Sequence, residues 1–321
     1  MHSPNTPNYV GMLINPNSTG AKLEATKESI RNLEEAFPGR TYKIFTDKSY
    51  DITQDRIVEE SHPDDIICGF GGDSLALNVA NAFLRDDAPK GLKYKAFKAG
   101  NGSEVAKMTG SECGLSASEA ILQGDVRPVR PIHLEWETPG EKPQIIRALA
   151  YFGLHTSAHV TRKMNDPAHR SHFLYKHRAT RMIVEMCTTL GVGFTTPGLR
   201  LDRSGKITTV QELSFVNGDI MGKLGRIPNK LDRDGVYGVA IPAHANTIIE
   251  RVAAASHGAI SLLSGRTSGF DIMPSEAVSF TVLDDTYIHA DGEPFPVAAG
   301  TKMTIGPDPR SIDVLFNEVA A

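Results

Sequence analysis

Apolar residues in the first third of the chain fall into short runs separated by longer amphipathic stretches. The runs at 9–14, 41–45, 65–70 and 94–99 have the length and bounding residues of strands. The stretches 21–36, 52–60, 75–85 and 116–123 have helical patterning. Alternation of strand and helix over the first 125 residues predicts a parallel sheet with helices on both faces. Ligands of such sheets lie beyond the carboxyl ends of the strands. Gly124-Asp-Val-Arg-Pro-Val-Arg-Pro131 breaks the pattern and reads as a crossover. Beyond it, the segments 132–137, 145–153, 208–217, 235–241 and 277–283 are longer and richer in β-formers. They predict a second, mainly antiparallel domain with one helical insert. The expected fold class is α/β, with a parallel-sheet domain over 1–125 and a β-rich domain over 126–299. No internal repeat or low-complexity tract interrupts this plan.

Composition narrows the field only slightly. The chain has 321 residues, room for two domains, and its 40% hydrophobic and 22% charged content is that of a globular protein. A net charge of −4 argues against polybasic nucleic-acid binding. Cys68, Cys113 and Cys187 are too few and too scattered for a disulfide framework or a zinc cluster, so a reducing, cytoplasmic setting is expected. Residues 1–8 are polar and lack a signal core. No apolar run approaches the ~20 residues of a membrane span. A lipid substrate would have to be met at the membrane surface.

The candidate chemistry lies at the strand ends. Gly71-Gly72-Asp73 follows one apolar run and opens a helix. Glycines let the backbone approach a phosphate, the helix N-terminus offers N–H groups to it, and an aspartate can hold magnesium or take a proton. Asn15-Pro-Asn-Ser-Thr-Gly20 follows the first strand, and Gly100-Asn101-Gly102-Ser103-Glu104 follows the fourth. Far downstream, Tyr287-Ile-His-Ala290 leads into Asp291-Gly292-Glu293. Each motif has an ordinary alternative. Ser18 or Thr19 would serve as a helix cap, and an Asp-Gly pair often marks a solvated turn.

In order and spacing these motifs, together with Asn217-Gly218 and Leu231-Asp-Arg-Asp-Gly235, resemble the bacterial diacylglycerol kinase and sphingosine kinase family. The resemblance spans almost the whole chain. It implies an ATP-dependent lipid kinase with its site in the cleft between the domains, and a return of Ser311–Phe316 to the first domain, which 300–321 would complete. Asn15, Pro16, Asn17, Ser18 and Thr19 would cradle ATP phosphates with Gly71, Gly72, Asp73, Ser74, Leu75, Asn78, Gly100, Asn101 and Gly102. Thr46 would contact the nucleotide. Mg2+ would bridge the phosphates through Asp73 and, by water, Glu104. Glu293 would be the general base, with Asp291 a helper or turn residue and Asp73 the rival base. A structural magnesium would take Asp234 and the carbonyls of Leu231 and Val236.

The chain departs from the family at several of these places. Ser74-Leu75 replaces Gly-Thr, Asn78 replaces a glutamate, and Gly100-Asn101 and Ser103-Glu104 replace Gly-Thr and Asn-Asp. Ser157-Ala-His-Val160 stands where many members have Asp-Ala-x-Val, and Arg130 stands near a family aspartate. Backbone phosphate contacts should survive these changes, whereas the metal network and acceptor recognition are altered. The Ser157 departure weakens the case for a sphingoid base.

Two other functions stay open. One is a soluble-substrate kinase related to the NAD kinases, which share Gly-Gly-Asp but whose Asn-Glu motif is not visible. The other is a non-catalytic nucleotide or lipid binder. A homo-oligomer is compatible with the sequence. Residues 161–181 hold six Lys/Arg, three His and one acid, Asp166, and would suit either a solvated helix face or anionic head groups. His155 and His159 fall on an expected strand with both side chains on one face. With no cysteine or clear acidic partner for them, zinc is disfavoured.

Overall fold

A computed structural model describes residues 7–16, 24–99, 104–111, 114–166, 168, 184, 187–188, 191–192, 195–217, 236–242, 271–274 and 276–317. The chain divides into two compact units. The first comprises Met1–Pro131, Arg147–Ala150 and Asp308–Ala321, and the second Ile132–Ile146 and Tyr151–Pro307.

In the first unit β1 (Val10–Ile14), β2 (Thr41–Phe45), β3 (Ile66–Gly71) and β4 (Lys93–Lys98) alternate with α1 (Glu24–Ala36), α2 (Tyr50–Glu60) and α3 (Asp73–Phe83). Then come α4 (Glu104–Met108), α5 (Ala117–Leu122) and β5 (Asp125–Val129), and the last strand of the chain, β17 (Ile312–Phe316), returns to this sheet. Among the described residues the sheet has six strands in the order β2-β1-β3-β4-β17-β5. All neighbours run parallel except β17 and β5. The expected crossover at 124–131 is therefore corrected: most of it is the antiparallel edge strand β5. Its proline, Pro128, suits an edge, where a missing N–H costs no ladder bond. The short helix α4 was not expected either.

The centre of this sheet is dry. All five residues of β1 and all six of β3 are buried. Val10, Met12, Ile14, Leu33, Phe37, Ile66, Cys68, Phe70, Ile121 and Leu315 form one core cluster. Full burial of a large aliphatic or aromatic side chain is worth about 1.5–3 kcal/mol. Local chemistry sets the helix starts. The Ser49 hydroxyl accepts the Ile52 N–H at the head of α2, and Ser116 and Glu119 form a reciprocal capping box at α5. One core position is cationic. Lys95 is fully buried, and its ammonium donates to the carbonyls of Thr109 (3.0 Å) and Leu315 (3.3 Å) and to Asn317 Oδ1 (2.5 Å). It thereby ties β4 to the end of α4 and to the last strand.

The second unit contains β6 (Ile132–Glu137), β7 (Gln144–Ala148, whose last two residues count with the first unit), β8 (Tyr151–His155), α6 (Thr156–Asn165), β9 (Leu199–Arg203), β10 (Lys206–Asn217), β11 (Val236–Pro242), β12 (Asp271–Pro274), β13 (Val278–Val282), β14 (Thr286–Ala290), β15 (Glu293–Val297) and β16 (Lys302–Pro307). Among the described residues these eleven strands form one antiparallel sheet, ordered β15-β14-β8-β10-β9-β13-β16-β6-β7, with β11 on β10 and β12 on β11. The single strand expected at 145–153 is two, broken at Leu149-Ala150. β9, β12, β15 and β16 were not expected. The alternating burial of β6, with Ile132, Leu134 and Trp136 inward, is that of a sheet wetted on one face. The strand expected to carry both His155 and His159 ends at His155, and His159 lies inside α6.

Candidate functional site

The glycine turn lies where β3 hands over to α3. Gly72 is the N-cap of α3 and brings no side chain of its own to cap the first turn. The Leu75 N–H bonds back to the Gly72 carbonyl at 3.1 Å, and the Leu75 side chain is buried beside Gly71. Such a helix start is suited to an anion. Asp73 opens the helix and is only 9% exposed, and its Oδ1 accepts the Val105 N–H at 3.2 Å. That bond sets the first turn of α4 beside the Asp73 carboxylate. Glu104, one residue earlier, is buried. Its Oε1 meets Lys107 at 3.2 Å, while Oε2 is buried with no hydrogen-bond partner. Asn78 donates to the Ser74 carbonyl at 2.9 Å, and its own Oδ1 is also buried and unpartnered.

Neighbouring strand ends bring further expected residues to the same edge. Phe45 pairs with Ile14 across β1 and β2, and the Thr46 N–H bonds to the Ile14 carbonyl at 3.0 Å. Thr46 thus stands beside the start of the Asn15-Pro16 loop. Ile14 also pairs with Phe70, next to the glycine turn. Asn15, Pro16, Thr46, Gly71, Gly72, Asp73, Ser74, Leu75 and Asn78 therefore share the carboxyl edge of one sheet. Asn17, Ser18, Thr19, Gly100, Asn101 and Gly102 lie outside the described residues, as do Leu231, Asp234 and Gly218. Val236 opens β11. Residues 169–181 of the basic stretch also lie outside. Of its described part, Arg162 stacks over the Tyr287 ring at 4.5 Å.

The expected base belongs to the second unit. Asp291 and Gly292 both have positive φ, 44° and 84°, in the two-residue turn between β14 and β15. Asp291 is 1% exposed, its Oδ1 accepts the Tyr151 N–H at 3.0 Å, and its own N–H reaches the Tyr151 carbonyl at 3.0 Å. These contacts make Asp291 a turn and tether residue. Glu293 begins β15, half-buried, opposite Ala290. His155 is satisfied on both sides, by Thr286 Oγ1 at 2.9 Å and the Pro197 carbonyl at 2.6 Å.

One polar cluster was not recognised in the sequence. Ser157 Oγ donates to Glu212 Oε1 at 2.6 Å and meets His289 Nε2 at 2.9 Å. Glu212 also accepts the Ser157 N–H at 2.8 Å and the Ser214 hydroxyl at 2.5 Å. Burial pushes the Glu212 carboxyl up to about 7 despite these hydrogen bonds, which favour its charge. Burial pushes the His289 imidazole down to about 3. The sequence signal was slight: one glutamate just before the apolar run of β10, and a histidine within β14.

A surface cavity of about 450 Å³ lies at the other end of α3, around Leu84, Arg147 and Arg310. Its arginines are already ion-paired, Arg85 to Asp55 and Asp87, and Arg147 to Asp308 at 2.7 Å.

No family model matches the sequence, and no curated protein does. Solved structures do match the fold. A candidate diacylglycerol kinase of Bacillus anthracis str. Sterne superposes with a TM-score of 0.65 at 14% identity, covering 98% of this chain and 97% of that one. A diacylglycerol kinase structure from the same organism gives 0.60 at 12% identity, with 98% of each chain covered. Yeast NADH kinase, solved with NADH, gives 0.52 at 12% identity, covering 98% of this chain and 84% of that one. With its parallel-containing sheet in one unit and its antiparallel sheet in the other, the chain has the fold of these diacylglycerol kinase structures.

Proposed function

We propose that this chain is an ATP-dependent kinase that phosphorylates a hydroxyl of a diacylglycerol-like lipid. The observation that carries the reading is the Asp73–Glu104 pair at the head of α3. Asp73 opens α3 with its carboxylate on the Val105 N–H, and Glu104, one residue before Val105, keeps a buried oxygen with no hydrogen-bond partner. A buried carboxylate oxygen without a donor is costly unless a cation completes it. Among the described residues no group of three or more His, Cys, Asp or Glu is arranged to hold a metal by itself. One or two carboxylates plus phosphate oxygens is the usual set for magnesium at a nucleotide. The residues present fit such an ion, which Asp73 would hold, with Glu104 acting by water. Bound there, magnesium would supply charge neutralisation on the phosphates.

The chain's own groups do the rest. The Gly71-Gly72 backbone lets the phosphates approach the N–H groups of α3, which favour negative charge. The Thr46 and Asn15 strand ends border the nucleotide. Glu293 takes the proton of the acceptor hydroxyl. No helix among the described residues is long and apolar enough to cross a membrane, so the lipid would be met at the surface.

ADP release, measured with ATP, magnesium and diacylglycerol in mixed micelles, tests this reading. Turnover should require the divalent ion and the lipid, and Asp73→Asn should remove most of it while leaving the fold intact. Turnover with NAD or NADH in place of lipid would move the acceptor to a dinucleotide, the substrate class suggested by the yeast NADH kinase fold match. ATP binding without turnover on any acceptor would leave a non-catalytic nucleotide binder.

A further inference from the structure

Arg147, at the cavity beyond the end of α3, is held from two sides. Its main chain lies against the helix, where Asn81 Oδ1 accepts the Arg147 N–H at 3.0 Å and Asn81 Nδ2 donates to the Arg147 carbonyl at 2.9 Å. Asn81 is itself buried, and its Nδ2 also donates to the Leu77 carbonyl at 2.7 Å. The Arg147 side chain is fixed by Asp308, whose Oδ2 accepts from Nε at 2.7 Å. Asp308 is 1% exposed, and its Oδ1 accepts the Arg310 N–H at 2.9 Å. One buried carboxylate therefore sets both the Arg147 guanidinium and the backbone that carries Arg310. All of these residues belong to the first unit.

These pairings use only part of each guanidinium. Arginine donates from Nε and from both Nη atoms. Arg147 spends Nε alone. Its Nη1 and Nη2 make no hydrogen bond among the described residues, and neither is a buried atom, although the side chain is only 14% exposed. Arg147 and Arg310 line the cavity together with Leu84, Arg85, Asp86 and Asp87. Arg310 Nη1 donates to the Leu84 carbonyl at 2.7 Å and so covers a carbonyl at the end of α3, while its Nη2 makes no hydrogen bond among the described residues. Arg85 is spent, with Nε and Nη2 on Asp87 and Nη1 on Asp55. Asp86 stands 3.7 Å from Arg310 Nη1, but it is fully exposed, and a pair of this kind holds little. Arg147 and Arg310 thus share the Asp308 carboxylate, which leaves positive charge and unused donors facing the cavity.

We infer that this cavity binds a phosphate monoester, with Arg147 Nη1 and Nη2 and Arg310 Nη2 as donors, and Asp308 and Asn81 as the positioning residues that hold Arg147 in place. The paired Nη atoms of an arginine match two oxygens of a phosphate or a carboxylate. A donor from a second arginine suits a group with a third terminal oxygen, which a phosphate monoester has and a carboxylate lacks. A guanidinium already fixed by a buried carboxylate and a clasped backbone loses little freedom on binding. The site lies at the opposite end of α3 from the glycine turn, and it stands whether or not the chain transfers phosphoryl groups. Its donors read the phosphate itself, whether a soluble molecule or a lipid head group carries it.

Nitrogen-15 spectra of the full chain, labelled at arginine, follow the site. Arg147 Nε–H donates to a buried carboxylate, so its proton should exchange slowly and give a resolved signal, assigned by its loss in Arg147→Lys. The probes, in mildly alkaline buffer where the phosphate is doubly charged, are glycerol 3-phosphate and dihexanoyl phosphatidate below its micelle threshold. Both should shift the Arg147 signal saturably. Arg310→Gln changes an exposed side chain and should weaken glycerol 3-phosphate about tenfold, the worth of one charge-assisted hydrogen bond. Gly72→Val should leave the Arg147 response unchanged, which separates this site from phosphate held at the glycine turn. Arg147→Lys keeps a charge beside Asp308 but lacks the paired Nη atoms, and calorimetric titration in the Gly72→Val background should show the same weakening or more. Arg310→Gln, read by the same calorimetry, keeps the test decisive if Arg147→Lys does not fold. Tighter binding of the phosphatidate than of glycerol 3-phosphate identifies a lipid head group as the ligand, and equal or weaker binding identifies a soluble phosphate. No saturable shift from either probe, equal affinity in wild type and folded Arg310→Gln, or a response lost in Gly72→Val would overturn the site.

Discussion

Glu212→Gln makes a quantitative prediction about stability, because Glu212 and His289 are displaced in opposite directions by the same burial. The Glu212 carboxyl rises from an ordinary 4.5 to about 7 on folding. A carboxyl whose folded value is raised is fully favourable while neutral, below 4.5. Its contribution is lost as pH rises through the folded value near 7. Each pH unit between the two values is worth about 1.4 kcal/mol, so the loss is on the order of 3 kcal/mol. His289 falls from 6.5 to about 3 on folding. Its folded state holds the neutral ring, so stability is lost as pH falls below 6.5 toward 3. Between 4.5 and 6.5 the folded chain keeps a proton on Glu212 and none on His289, while the unfolded chain does the reverse. The two slopes cancel, and this pair makes no net contribution to pH dependence there. Glu212→Gln removes one side of the balance. The variant, relative to wild type, should gain stability with rising pH by roughly 1.4 kcal/mol per unit across that window. Urea unfolding at a series of pH values measures it. The single tryptophan, Trp136, is 5% exposed on β6, so its fluorescence reports the unit that contains Glu212. Comparing the variant with wild type removes the titration of every other group. Wild-type and variant curves that run parallel from 4.5 to 7 would refute the reasoning.

Three further outcomes are expected. Gly72 has φ −87° and ψ −173°, extended backbone that valine also adopts, so Gly72→Val should fold normally yet lose affinity for ATP in calorimetric titration. Glu293→Gln should keep ATP affinity and lower turnover by roughly 10²–10⁴-fold, the usual worth of a general base; near-normal turnover would transfer the role to Asp73. Lys95→Ala should destabilise the first unit by about 2–5 kcal/mol in denaturant unfolding, since it opens a cavity and strips a donor from Thr109, Leu315 and Asn317 together; Lys95→Met should recover the packing part only.

Much of the first unit can be read from local pattern. The runs at 9–14, 41–45, 65–70 and 94–99 match β1 to β4 to within a residue or two. Their alternation with helices fixed a parallel sheet, and the glycines fixed the turn at its carboxyl edge. Those signals are local, because side-chain period and turn chemistry belong to a few adjacent residues. Asp291-Gly292 is readable for the same reason: a two-residue turn with positive φ at both positions favours that pair.

Pairing between distant segments is a different matter. The segment 124–131 looked like a connection because two prolines and two arginines break its apolar pattern, and only the partner strand 312–316 makes Asp125–Val129 an edge. Lys95 sits in a strand whose other lysines are solvated, and nothing adjacent to it marks it for burial. Its three acceptors lie 14, 220 and 222 residues away. Glu212, Ser157 and His289 are likewise brought together across 55 and 132 residues. A buried polar group is tolerable only when its partners arrive from elsewhere in the chain, so the tertiary structure alone decides which polar residues can be inside. The sequence by itself determined which strand ends carry glycine turns and carboxylates; the fold decided which of the chain's polar residues are buried.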